Sequence, residues 1–243
     1  MNIARAGAEP TIPSLTARAI PVGHVGKCLV RVDPILVPSL VYLGWSLAER
    51  YRHVSPKGFE RPAESPLSWA AGVTVGILAG IVLHGAMKLA SLGRGVDRPS
   101  ELTLSLLGGR WEPGAGNERM AWRCAVAGPL TWLVLALLTW VVTRHGPRLP
   151  SEGELPLRDL WRYQLIAGMI HLLPARPFDG GAILFGLALP RLGLRVTWHV
   201  ARAIGWLLAL ACIFLAFAYR AVAFLVIAVF LFAASEEEPA HHS

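Results

Sequence analysis

Charge is scarce in this chain. Only 16% of its 243 residues are Asp, Glu, Lys or Arg, against roughly 25% in an average soluble domain. That shortage argues against an ordinary cytosolic enzyme and against a disordered chain. Cysteine is scarcer still. Cys28, Cys124 and Cys212 are widely separated and form no C-x-x-C pair, so neither a zinc knuckle nor a disulfide framework is supported. They read as small buried hydrophobes. Basic blocks are also missing. The net charge is +7, yet Lys and Arg stand singly between apolar runs, so no nucleic-acid partner is expected. Residues 1–31 carry Arg5, Arg18, Lys27 and Arg31 but no apolar core of signal-peptide length. The first membrane helix is therefore expected to direct insertion. No internal repeat or low-complexity segment is visible.

What is abundant is apolar mass. Hydrophobic residues make up 54% of the chain and the mean hydropathy is +0.49. A bilayer core takes about 20 mostly apolar residues per helix. Six stretches answer that description, some of them short: 35–48, 67–89, 120–143, 160–173, 203–217 and 221–234. The expected architecture is an all-α polytopic membrane protein with about six spans. Most tryptophans, including Trp45, Trp69, Trp132, Trp140 and Trp206, are expected near span ends, where indoles favour the interface. Two β-prone runs interrupt the helices. One is 27–33; the other is the alternating run 101–107, followed by Gly108-Gly109. They are expected to build a small β-hairpin or sheet near the cytoplasmic face.

This divides the chain into an N-terminal cytoplasmic segment with a short strand (1–34), a transmembrane domain (35–234) and a flexible acidic tail (235–243). With six spans, the larger share of the 23 Lys and Arg falls on the side holding both ends. Both termini are then expected in the cytoplasm of a multi-pass cell-membrane protein.

Ionisable residues at membrane depth are costly and are functional candidates by default. His84 ends an apolar helix pattern, and Asp179 follows another, in Leu172-Leu-Pro-Ala-Arg-Pro-Phe-Asp-Gly-Gly181. Taken singly, such a His is an ordinary interfacial residue and such an Asp an ordinary turn or cap. At one depth, the two would suit a zinc site.

Four segments in order say more: Ile81-Val-Leu-His84-Gly-Ala-Met-Lys88, Leu102-Thr-Leu-Ser-Leu-Leu-Gly-Gly109, Ala125-Val-Ala-Gly-Pro-Leu130, and His171-Leu-Leu-Pro174-Ala-Arg-Pro177-Phe-Asp-Gly-Gly181. This order resembles the intramembrane site-2 zinc metalloprotease family. Its motifs are H-E-x-x-H, a hairpin ending L-G-G, A-G-P, and N-L-L-P-x-x-P-L-D-G-G. The resemblance implies a site-2 protease-like fold and, in the family, zinc held by two His and the D-G-G Asp. Carried over, His84 is the first His and Asp179 the Asp. Gly85 stands at the position of the general-base Glu, Lys88 replaces the second His, and His171 stands where the family has Asn. A catalytic zinc keeps three protein ligands and a water; two remain, and Lys88 brings a cation. No catalytic residue is retained, and zinc is expected to be absent or weakly held.

The first expectation is a pseudoprotease that binds a transmembrane protein or peptide segment in the bilayer without cleaving it. The hairpin residues Glu101, Leu102, Thr103, Leu104, Gly108 and Gly109 would supply the binding site, with the run 101–107 as the edge for an added strand. An alternative is an active intramembrane metalloendopeptidase with relocated ligands His84, His171 and Asp179 and Glu101 as base. A small transporter or channel is a third reading. It would want more intramembrane polar groups and paired broken helices.

Overall fold

A computed structural model describes residues 19–26, 28–53, 65–91, 101–106, 108–111, 118–146, 151–176, 178–219 and 222–236. Four strands and six helices follow one another: β1 Ile20–Val25, β2 Cys28–Val32, α1 Leu36–His53, α2 Pro66–Ala90, β3 Glu101–Ser105, β4 Gly108–Trp111, α3 Glu118–His145, α4 Ser151–His171, α5 Asp179–Tyr219 and α6 Val222–Glu236.

Local chemistry sets several boundaries. Asp33 ends β2 and opens α1: its Oδ1 accepts from the Ile35 amide at 2.9 Å, and its carbonyl accepts from Leu36. Ser65 caps α2 by accepting from the Ser68 amide at 3.1 Å, with Pro66 in the first turn, where its missing donor costs nothing. Along α2 the buried residues Trp69, Ala70, Val73, Gly80, Ile81, His84, Gly85 and Lys88 recur at helical spacing. One face of α2 is therefore covered along its length.

The strands form one mixed sheet in the order β1-β2-β3-β4. β2 and β3 run parallel, with Leu29 opposite Glu101 and Val32 opposite Leu104. The crossover between them contains α1 and α2. This placement corrects one expectation: β3 is an inner strand, so the run 101–107 offers no edge. Among the described residues the outer strands are β1 and β4. A parallel pairing across some seventy residues leaves no local trace, whereas the β3–β4 hairpin does. Lys27 and Leu107 lie outside the described residues.

Three apolar clusters tie the helices together. Leu47 and Ala48 of α1 meet Trp69, Ala70 and Val73 of α2 and Leu160 of α4. Leu36, Ile81 and Trp132 of α3 join near Val32 and Leu104, fastening the sheet to the helices. Phe178 packs with Ala209 of α5 and Ala228 and Leu231 of α6. Trp69 and Trp132 are thus buried among the helices. Cys28 and Cys124 are buried, and Cys212 is half-buried.

By length and composition, three helical stretches are long and apolar enough to cross a membrane: Pro66–Ala90, Cys124–His145 and Asp179–Ala218. Their outward side chains suit lipid. Leu207, Leu210, Phe214 and Phe217 are all more than half exposed. α5 differs from expectation by starting at Asp179. It is two helices joined at Gly193, whose φ of 74° and ψ of 165° lie outside the helical region. Pro190, Arg191, Gly193 and Arg195 break the apolar run there, so the first half left no recognisable span in the sequence. α6 includes Ser235 and Glu236, two residues assigned by sequence to the tail; residues 237–243 lie outside the described residues.

Candidate functional site

Four buried polar residues, His84, Lys88, His171 and Asp179, converge where α2, α4 and α5 meet. His84 and Lys88 are one turn apart on α2 and share its covered face. His171 ends α4. Residues 172–176 then fold into turns, with Ala175 donating to the Leu173 carbonyl and Phe178 to that of Ala175. This compact reversal returns the chain to Asp179, the first residue of α5. All four side chains are buried; His84 is fully inaccessible.

Asp179 is the hub. Its Oδ2 lies 2.9 Å from His84 Nε2 and 2.9 Å from His171 Nδ1, and its Oδ1 lies 2.5 Å from Lys88 Nζ. The other nitrogen of His84, Nδ1, accepts from the Gly109 amide of β4 at 2.9 Å. A neutral imidazole has one donor and one acceptor nitrogen. With Nδ1 accepting, Nε2 carries the hydrogen and donates to Asp179. The imidazoles of His84 and His171 lie 4.6 Å apart, and Trp132 stacks on His171 at 6.4 Å and 24°.

Small residues make this closeness possible. Gly108, with φ of 94°, passes so near His84 that a Cβ there would collide with the imidazole. On the opposite side, Gly128 of α3 faces Asp179 Oδ2 and His84 Nε2, and a Cβ would strike both. Gly128 and Trp132 thus wall the cluster, a part the sequence reading did not assign to them. The signal available was the A-G-P motif at residues 127–129.

Does this group fit a metal? In number and spacing it does: one ligand atom each from His84, His171 and Asp179 lie within 4.8 Å of one another. In proton placement it does not. A ligating His directs a bare nitrogen at the metal and its N–H at an acceptor. Nδ1 of His84 instead faces the Gly109 donor, so freeing Nε2 for a metal would set two N–H groups against each other. The charge also disagrees, because Lys88 already neutralises Asp179, and a divalent ion would sit beside a buried ammonium.

Glu101 is not brought to this cluster. It pairs with Arg31 on the neighbouring strand at 3.1 Å. It lies three residues along β3 from Leu104, about 10 Å at strand rise. The expectation that it stands in for the base is therefore corrected. Of the other hairpin residues, Leu104, Gly108 and Gly109 reach His84 or Gly85, and Leu102 backs Gly85. Thr103 lies opposite Arg110 in the ladder.

No protein-family model matches the chain. Rip3 of Mycobacterium tuberculosis, provisionally named a zinc metalloprotease, is 31% identical over 233 residues, covering 90% of this chain and 58% of that protein. The fold agrees with a site-2 protease from Methanocaldococcus jannaschii at a TM-score of 0.67, with 18% identity, over 90% of this chain and 94% of that one. The chain has the site-2 protease fold. A second relative, sll0528 of Synechocystis sp., is likewise provisionally named a zinc metalloprotease and is 30% identical over 149 residues, covering 57% of this chain and 39% of that protein. The chain thus spans less than two thirds of the length of the curated relatives it matches. The four segments that resemble the site-2 protease motifs meet at the cluster just described.

Proposed function

We propose that this chain is a pseudoprotease of the site-2 protease family, a membrane protein that binds a transmembrane protein or peptide segment without cutting it. The observation that carries the reading is the Lys88–Asp179 pair. The carboxylate that would hold zinc is spent on an ammonium and two imidazoles. Gly85 at the base position offers no proton acceptor, and Glu101 is held by Arg31. General-base assistance contributes roughly 10²–10⁴-fold, so its loss alone is severe. We further propose a multi-pass arrangement in the cell membrane with both termini cytoplasmic. A partner segment would add to the outer edge of β1, which has no neighbouring strand among the described residues.

The convergence of His84, His171 and Asp179 favours a second reading, an active zinc protease with relocated ligands. The two part on one experiment. The purified protein is incubated with a single-pass substrate, with and without a zinc chelator. No product is expected. A chelator-sensitive cleavage product would overturn the pseudoprotease reading.

A further inference from the structure

Residue 85 is more than a missing glutamate. A Cβ built on Gly85 would stand 2.9 Å from Leu104 Cδ2 and 3.5 Å from both Gly109 Cα and Leu102 Cδ2. From the other side, a Cβ on Gly109 would stand 2.5 Å from Gly85 Cα and 3.3 Å from the Gly85 nitrogen. Helix α2 and strand β4 therefore touch backbone to backbone at Gly85 and Gly109, with Leu102 and Leu104 closing the seam. A side chain at position 85 would meet the end of the Leu104 side chain first, and Leu104 would have to shift to admit it.

The same contact aims the Gly109 amide at His84 Nδ1. An N–H on an outer strand is ordinarily open to solvent or to an incoming strand. Here the helix itself takes it. Gly109 also lies opposite Leu104, the residue that fills the seat of side chain 85.

We propose that the β3–β4 hairpin is an intramolecular plug: Leu104 and Gly109 occupy the seat of side chain 85, and the Gly109 amide holds His84. The buried cluster is thereby closed from the sheet side, and β4 is closed to strand addition at Gly109. Leu104 and Gly109 act as positioning residues. Naming position 85 as the base's seat rests on the family reading. The plug itself rests only on packing.

The test uses the full chain in detergent and reads neither metal nor proteolysis, so it can fail independently of the pseudoprotease reading. Gly85→Ala, Leu104→Ala and the double variant are compared by thermal unfolding. Gly85→Ala gains helix propensity but crowds Leu104, so it is expected to gain less Tm in the unsubstituted background than in the Leu104→Ala background. The double variant should therefore be more stable than the two single changes sum to, since Leu104→Ala vacates the clash. Accumulation of the double variant where Gly85→Ala does not fold would support the plug equally. Additive changes in Tm, or a larger gain from Gly85→Ala in the unsubstituted background, would overturn it. Hydrogen exchange on the unsubstituted protein gives a reading that needs no variant. The Gly109 amide is expected to exchange as slowly as the inner amides of β3. Exchange as fast as on β1 would overturn the proposal.

Discussion

Lys88 Nζ and Asp179 Oδ1 lie 2.5 Å apart although 91 positions separate them in the chain. Both residues are buried, so each charge depends on the other. Removing one partner of a buried pair strands the other at a cost of about 3–5 kcal/mol. Lys88→Met is therefore expected to lower Tm sharply in detergent, and Lys88→Met with Asp179→Asn to recover much of the loss. Unfolding of Lys88→Met at the unsubstituted temperature would mean that the pair carries no weight.

Metal content gives a second expectation. The donor pattern at His84 and the ammonium at Asp179 oppose zinc. Protein purified after zinc supplementation should hold far less than one ion per chain. Elemental analysis checks this. A content near one per chain, lost on His171→Ala, would point instead to a three-ligand site of His84, His171 and Asp179.

Gly193 joins the two halves of α5 at φ 74° and ψ 165°. That region is essentially restricted to glycine, and other residues pay roughly 1–3 kcal/mol there. No neighbouring atom would meet a Cβ at this position, so any loss is backbone strain alone. Gly193→Ala and Gly193→Asn are both expected to lower Tm. A neutral result for alanine would contradict the backbone geometry.

Near the middle of α5, Arg202 makes a two-point contact with Glu236 at the end of α6, at 3.1 and 2.8 Å. It also lies 5.0 Å over Trp198 and 4.5 Å over Trp206, whose indole N–H donates to Glu236. Lysine keeps the charge but loses the fork and the stacking. Arg202→Lys should destabilise the α5–α6 contact by about 1 kcal/mol, the scale of partly exposed pairs and cation–π contacts. Thermal unfolding of Arg202→Lys beside Glu236→Gln measures it. Equal stability of Arg202→Lys and the unsubstituted protein would reduce the clamp to a charge contact.

Some parts of this protein are properties of its sequence alone. Apolar runs marked most of the helices, and three helical stretches are long and apolar enough for lipid, because bilayer thickness sets a length that composition reveals. The hairpin at 101–109 was legible from alternation and its glycines, and the replacement of His by Lys at position 88 from motif order. Other features depended on distance in space. Only the fold placed the Lys88 ammonium on Asp179, paired β2 with β3 in parallel and so removed β3 as an edge, and tied Glu101 to Arg31. Only the fold turned the Gly109 amide onto His84, which decides where the imidazole's proton sits. The physical reason is the same in each case. Segment character follows from local apolarity and backbone preference, whereas the identity of a buried charge's partner follows from which distant segments pack together.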